Sequence, residues 1–189
     1  MVATSLSSGA RRAWSVAAAL VAGLFIVAMV VTGSLPESRQ LVKFEAKGVM
    51  RLAPANITTV EIQFGGTRHT LRRAGTQPWS LETGAVLDAT AAAEVGMAVQ
   101  FMNSSSPTRE MRPEELSGIE LREFGLDRPR VSVTLYEGPT RILVAHFGAH
   151  NPDGLLQYMS VDGERGIFLM SRFVGEQWEW VANRLSTHD

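Results

Sequence analysis

Between Trp14 and Val31 the chain reads WSVAAALVAGLFIVAMVV, a stretch without one charged residue or proline. Coiled as a helix at about 1.5 Å per residue, it would reach about 27 Å, close to the roughly 30 Å hydrocarbon core of a bilayer. A helix that is apolar all round has no polar face to offer water, so a single buried stripe in a small domain does not suit it. The run is therefore read as a membrane anchor over residues 14–32, carried by side chains such as Trp14, Leu20, Phe25 and Val31. Arg11 and Arg12 precede it, and Gly33, Ser34 and Pro36 end it. Small residues at Val31-Thr32-Gly33 also fit a cleaved signal peptide, but the apolar run is longer than the usual signal core, which favours retention as a signal anchor.

Flanking charges pull the orientation two ways. Arg39, Lys43, Lys47 and Arg51 lie on the C-terminal side of the span, and a plain tally of basic residues would put them inside. The short N-terminal tail, with two arginines directly at the helix edge, is the layout of a signal anchor that exports its C-terminal part, and export is expected. Residues 1–13 then form a cytoplasmic tail, 33–55 a tether, and 56–189 an extracytoplasmic domain.

The chain has 189 residues, and the part beyond the anchor is long enough for one ordinary core. There is no cysteine, which removes thiolate catalysis, iron–sulfur clusters and cysteine-ligated zinc. A formal net charge of -1 argues against a surface that holds nucleic acid by neutralising phosphates.

Residues 59–64 alternate as a strand, Gly65-Gly66 turns the chain, and residues 69–73 return, which predicts a hairpin. A short strand at 79–81 comes next. Asp88 then caps a helix with Ala91, Val95, Ala98, Val99 and Met102 on one face. Residues 103–107 read as a polar break, and Pro113-Glu114-Glu115-Leu116 as a short acidic helical turn. Residues 131–136 and 141–147 form a second hairpin across Glu137-Gly138-Pro139, and 157–161 with 166–170 a third pair across Asp162-Gly163. Ser171 caps a last helix through Phe173, Trp178, Val181 and Leu185. The class expected is α+β, a mainly antiparallel sheet with helices on one face. Its two hairpin-plus-helix halves have the order that a weak internal duplication would produce.

Several of these segments together resemble the uncharacterised envelope domain encoded beside gliding-motility-type ABC transporter components. They are Trp79-Ser80-Leu81, Phe124-Gly125-Leu126-Asp127 with Pro129, the strand over 131–135, Phe147-Gly148, and Tyr158. The resemblance covers roughly residues 57–185, and its most specific piece is Gly-Leu-Asp-x-Pro directly before an alternating strand. It implies an anchored extracytoplasmic protein acting with a membrane complex, often an ABC transporter, and it transfers no catalytic residues. Local chemistry accounts for that piece as well: Gly125 can take φ > 0, Asp127 can accept backbone hydrogens, and Pro129 pushes Arg128 towards an extended conformation that feeds the strand.

Catalytic signals are sparse. No nucleophile elbow, phosphate-binding loop, dinucleotide fingerprint or zinc-protease motif occurs, so no catalytic, cofactor or metal residues are assigned. His146 and His150 are four apart with Asp153 close behind, a metal-like spacing on a helix, but His146 lies in a strand pattern and Gly148, Pro152 and Gly154 point to a loop. Arg68, His69, Arg72 and Arg73 border the first hairpin, where they either meet anionic headgroups or simply face solvent. Asn56-Ile57-Thr58 and Asn103-Ser104-Ser105 match the glycosylation pattern and decide nothing alone. Trp178 and Trp180 are two apart on a helix and cannot share a face, so at least one belongs near the edge of whatever the other packs against. Both are held as partner-contact residues.

The expectation is a non-enzymatic accessory subunit of the inner membrane that attaches to, assembles or stabilises a larger integral-membrane complex, with no nucleic-acid partner and no cofactor. An ABC transporter is the partner the resemblance implies. A respiratory or photosynthetic complex is an alternative, because the small residues Ala18, Ala22 and Gly23 suit lateral helix docking. An extracytoplasmic lipid- or sugar-binding module is another, which would require a deep apolar groove.

Overall fold

The computed structural model describes residues 8–33 and 47–187, so residues 1–7 of the expected tail and most of the expected tether lie outside it. The chain divides into two compact units, Met1–Phe44 and Glu45–Asp189. In the first, α1 runs Ser8–Gly33 over 26 residues, and Trp14, Leu20 and Phe25 are all well exposed. Val31 belongs to the helical backbone, and its side chain is outside the described residues. No helix is long and apolar enough to cross a membrane when only the described residues are counted. In α1 the described side chains are Trp14 and residues 16–28, a stretch shorter than the roughly twenty positions a span requires.

The second unit is α+β, as the patterning predicts. Its strands are β1 (Thr59–Phe64), β2 (Thr67–Arg72), β3 (Ser80–Leu81), β4 (Arg109–Met111), β5 (Val131–Glu137), β6 (Thr140–His150), β7 (Leu156–Val161) and β8 (Ile167–Ser171). Helix α2 (Ala89–Ser104) lies between β3 and β4, and α3 (Arg172–Ser186) comes after β8. Together the strands make one open antiparallel sheet in the order β3-β2-β1-β5-β6-β7-β8-β4. The first strands of the two expected halves, β1 and β5, pair inside the sheet as its third and fourth strands, with Val60 opposite Leu135 and Ile62 opposite Val133. Each half then spreads outward from that contact, except that β4 crosses over to pair with β8.

Period-2 alternation sends Val60, Ile62, Val133, Leu135, Ala145, Phe147 and Met159 to one side of the sheet. They form a single buried cluster with Val95, Ala98, Val99 and Met102 of α2 and Val174, Trp178, Val181 and Leu185 of α3. Asp88 caps α2 as expected, accepting from Ala91 N at 2.8 Å. Ser171 occupies the N-cap position of α3 but makes no side-chain cap hydrogen bond.

Other expectations need correcting. Residues 103–107 do not begin a polar break, because α2 continues to Ser104 and Asn103 is buried. The Asn103 amide donates to Met50 O and Leu52 O, both at 3.0 Å, while Gly48 N and Met50 N donate to the carbonyls of Asn103 and Met102. Part of the stretch read as tether is thus stitched to the end of α2, with Met50 only 1% exposed. The acidic segment at Pro113 forms successive turns rather than a helix, closed by Gly118 at φ 81°. Strand β4 carries no sequence signal, since three residues show no period and its pairing with β8 creates it. Strand β6 runs through the residues read as a loop, with a register shift between Phe147 and His150.

The opposite side of the sheet is covered only in part. Phe124, Leu126 and Ile167 form a small second cluster with Met111, Leu116 and Tyr158 beside them, and the rings of Phe124 and Tyr158 meet edge-on at 4.9 Å. Gly125 sits at φ 66°, and a Cβ at Gly148 would lie 2.2 Å from Phe124 O. Two glycines therefore let this loop lie directly on β6.

Candidate functional site

The layer of α2 and α3 places the two candidate tryptophans as their spacing requires. Trp178 is fully buried, whereas Trp180 keeps 41% of its surface. Of the pair, only Trp180 is in a position to touch a partner. The guanidinium of Arg184 lies 5.3 Å from the Trp180 ring centroid and also pairs with Asp88 at 3.1 Å. Met97 on α2 and Phe173 on α3 are exposed as well, and Phe173 packs edge-on against Phe101 at 4.9 Å.

Charges near this surface are satisfied within it. Gln177 bonds to the Glu94 carboxylate, and Arg172 pairs with Glu176 at 3.0 Å. Asp88 is held below the usual carboxylate range, first by the Ala91 N–H and then by Arg184. What remains outward on α2 is Ala89, Thr90, Ala93, Met97 and Gln100, with no charge among them. Between the helices, the seam lined by Ala91, Val95, Trp180, Val181, Arg184 and Leu185 has no room for even a water molecule, whereas a small-molecule site needs roughly 300–1,000 Å³. The seam is packed rather than grooved.

A network ties α3 to the sheet beneath. Glu179, at 13% side-chain exposure, receives both Nε and Nη2 of Arg130 at 2.9 Å. This bidentate pair raises the Arg130 pKa. The fully buried Gln157 amide reaches Glu179 at 3.5 Å and donates to Gly148 O at 3.0 Å.

The basic spot at the first hairpin does not assemble. His69 is 3% exposed and bonds to Ser186 Oγ at 3.0 Å, while Arg72 pairs with Glu82. Arg73 turns inward, donating to Ile57 O and Pro54 O with its guanidinium 4.5 Å from the Trp79 ring centroid, and burial lowers its pKa. Arg68 and Arg72 are left on the exposed side of β2, Arg72 with its charge taken up by Glu82.

His146 and His150 are not brought together as a metal pair, because both lie on the extended strand β6, where four positions span about 13 Å. Among the described residues no group of three or more His, Asp and Glu side chains could hold a metal ion. His146 instead faces the uncovered side of the sheet, with Nδ1 2.9 Å from Ser132 Oγ and Nε2 3.2 Å from Asp162 Oδ1. Sequence reading missed this trio, since its members come from β5, β6 and the turn after β7. The signal available was period-2 patterning, which puts Ser132 and His146 on outward positions once the register is known. Of the two glycosylation triplets, Asn103 is buried and engaged, and Asn56 is exposed.

No family model, curated protein or solved structure matches this chain. The resemblance to the envelope domain rests on its short sequence segments alone.

Proposed function

We propose that the protein is a membrane-anchored accessory subunit whose folded unit, on the extracytoplasmic side of the inner membrane, docks onto a larger integral-membrane complex through the outer face of α2 and α3. The observation that carries this reading is the character of that face: Met97, Phe173 and Trp180 stand out of a helical surface whose charges are already paired. Large exposed aromatics within a neutral setting favour protein contact over solvation, because the partner need not break ion pairs to bury them. The membrane part rests on the uncharged run from Trp14 to Val31, whose length matches a bilayer core. An ABC transporter is the partner that the resemblance favours.

The test is purification of the tagged protein from its native membranes in mild detergent, with mass spectrometry of the proteins that stay bound. Stoichiometric recovery of integral-membrane subunits, weakened by Trp180→Ala, is the expected result. A protein recovered alone and monomeric would refute the docking reading.

A further inference from the structure

The uncovered side of the sheet carries a row of polar side chains whose order is that of a nucleophilic site. Pairing registers Arg68 of β2 with Gln63 of β1, Gln63 with Ser132 of β5, and Ser132 with His146 of β6. Adjacent strands lie about 4.8 Å apart, so the four side chains succeed one another across the sheet. The register continues from His146 to Ser160 of β7, Asp162 meets the His146 ring from the turn after β7, and the Phe124 loop, lying on Gly148 two residues beyond His146, borders the row with Tyr158 and its neighbours.

Hydrogen bonding fixes the roles. An ionised carboxylate only accepts, so Asp162 accepts a hydrogen bond from Nε2–H, and the neutral ring is left with Nδ1 as its acceptor. The Ser132 hydroxyl then donates to Nδ1 at 2.9 Å, within the distance for handing over its proton. A serine, an imidazole and an orienting carboxylate in this chain of contacts form the arrangement that activates a hydroxyl, whichever ring nitrogen faces the serine. His146 keeps 29% side-chain exposure and Asp162 53%, so a small substrate can reach both.

We infer that Ser132 is a nucleophile toward small carboxylic esters, with His146 as its base, Asp162 orienting the ring, and Gln63 and Arg68 supplying donors for the developing oxyanion. Ser132 Oγ bonds to the acyl carbon while its proton passes to His146 Nδ1. The bond from acyl carbon to alcohol oxygen then breaks, and that proton leaves with the alcohol. Water enters by the same route in reverse, giving the free acid and restoring Ser132. The site faces away from α2 and α3, so it stands or falls independently of docking, and it departs from the expectation that the chain has no enzymatic role.

The experiment treats the full-length protein in detergent with a fluorophosphonate, maps the adduct by peptide mass spectrometry, and monitors p-nitrophenyl acetate hydrolysis in parallel. The expected result is one adduct on Ser132, absent in Ser132→Ala and at least about 100-fold slower in His146→Gln, the usual lower bound for a lost general base. Ester hydrolysis should fall in the same two variants, both melting close to the parent. Added imidazole should restore part of the rate in His146→Ala. No adduct on Ser132 in the folded protein, or labelling of His146→Gln at the parent rate, would overturn the assignment.

Discussion

Replacing Gly175 by alanine sets two effects against each other. In an exposed helix the change would be favourable by up to about 1 kcal/mol, since alanine restricts the unfolded chain and is the better helix former. At Gly175, however, the added Cβ would lie 1.9 Å from Gln157 Oε1 and 2.9 Å from Phe147 Cδ1. Gln157 is fully buried and its amide donates to Gly148 O, so it has no solvent to swing into. Overpacking of this kind costs about 1–3 kcal/mol. Pulling Gln157 off Gly148 would leave buried groups unpaired, at about 1–3 kcal/mol more. The net is a destabilisation of roughly 3 kcal/mol, which in a domain of this size lowers Tm by about 6–12 °C. Thermal unfolding of the full chain in detergent, monitored by circular dichroism, measures it. The double variant Gln157→Ala with Gly175→Ala should recover part of the loss relative to the sum of the single changes, because the clash partner is gone. If Gly175→Ala melts at or above the parent temperature, the seat of Gln157 is looser than its packing implies and the reasoning fails.

Three further outcomes are expected. Asn103→Ala deprives the carbonyls of Met50 and Leu52 of their donor and should cost about 1–3 kcal/mol, read as a lower urea midpoint; an unchanged midpoint would mean that residues 48–52 are held by their backbone bonds alone. Trp180→Ala should strip partner subunits from the purified protein while shifting Tm by no more than about 2 °C, as befits a half-exposed ring; a large Tm loss would place its role in folding instead. The carboxyl of Asp88 is held below its unfolded value, so its contribution is present above about pH 4 and is lost as pH falls through the lowered folded value. Asp88→Asn retains a capping side chain but not the charge, so the gap in Tm between parent and variant should close from pH 5 to pH 2, and a gap independent of pH would rule out the charge as its source.

Patterning alone placed most of the secondary structure, because it depends on local periods that the chain displays openly. The buried face of α2, the hairpins at Gly65-Gly66 and at Gly138, and the split between Trp178 and Trp180 all result from where apolar side chains must go at 2 or 3.6 residues per repeat. Relations between distant residues are what the sequence could not display. Asn103 looks like a loop residue until residues 48–52 come to lie against the end of α2. Arg109-Glu110-Met111 becomes a strand only because β8 offers an open edge. The arginines around the first hairpin look like one basic patch until Arg73 turns onto Trp79 and Arg72 finds Glu82.

The candidate site divides along the same line. Trp180 was accessible to sequence reading, since one helix dictates its direction. The Ser132–His146–Asp162 trio was not, since a cross-strand row exists only after register is fixed, and register here is set by the apolar faces that β1, β5, β6 and β7 bury together against α2 and α3. The sequence by itself determined that an apolar run precedes an α+β domain and which faces of its elements are buried. Tertiary structure alone decided which polar residues meet on the face left open, because strand pairing brings together side chains that the chain keeps 14 to 16 positions apart.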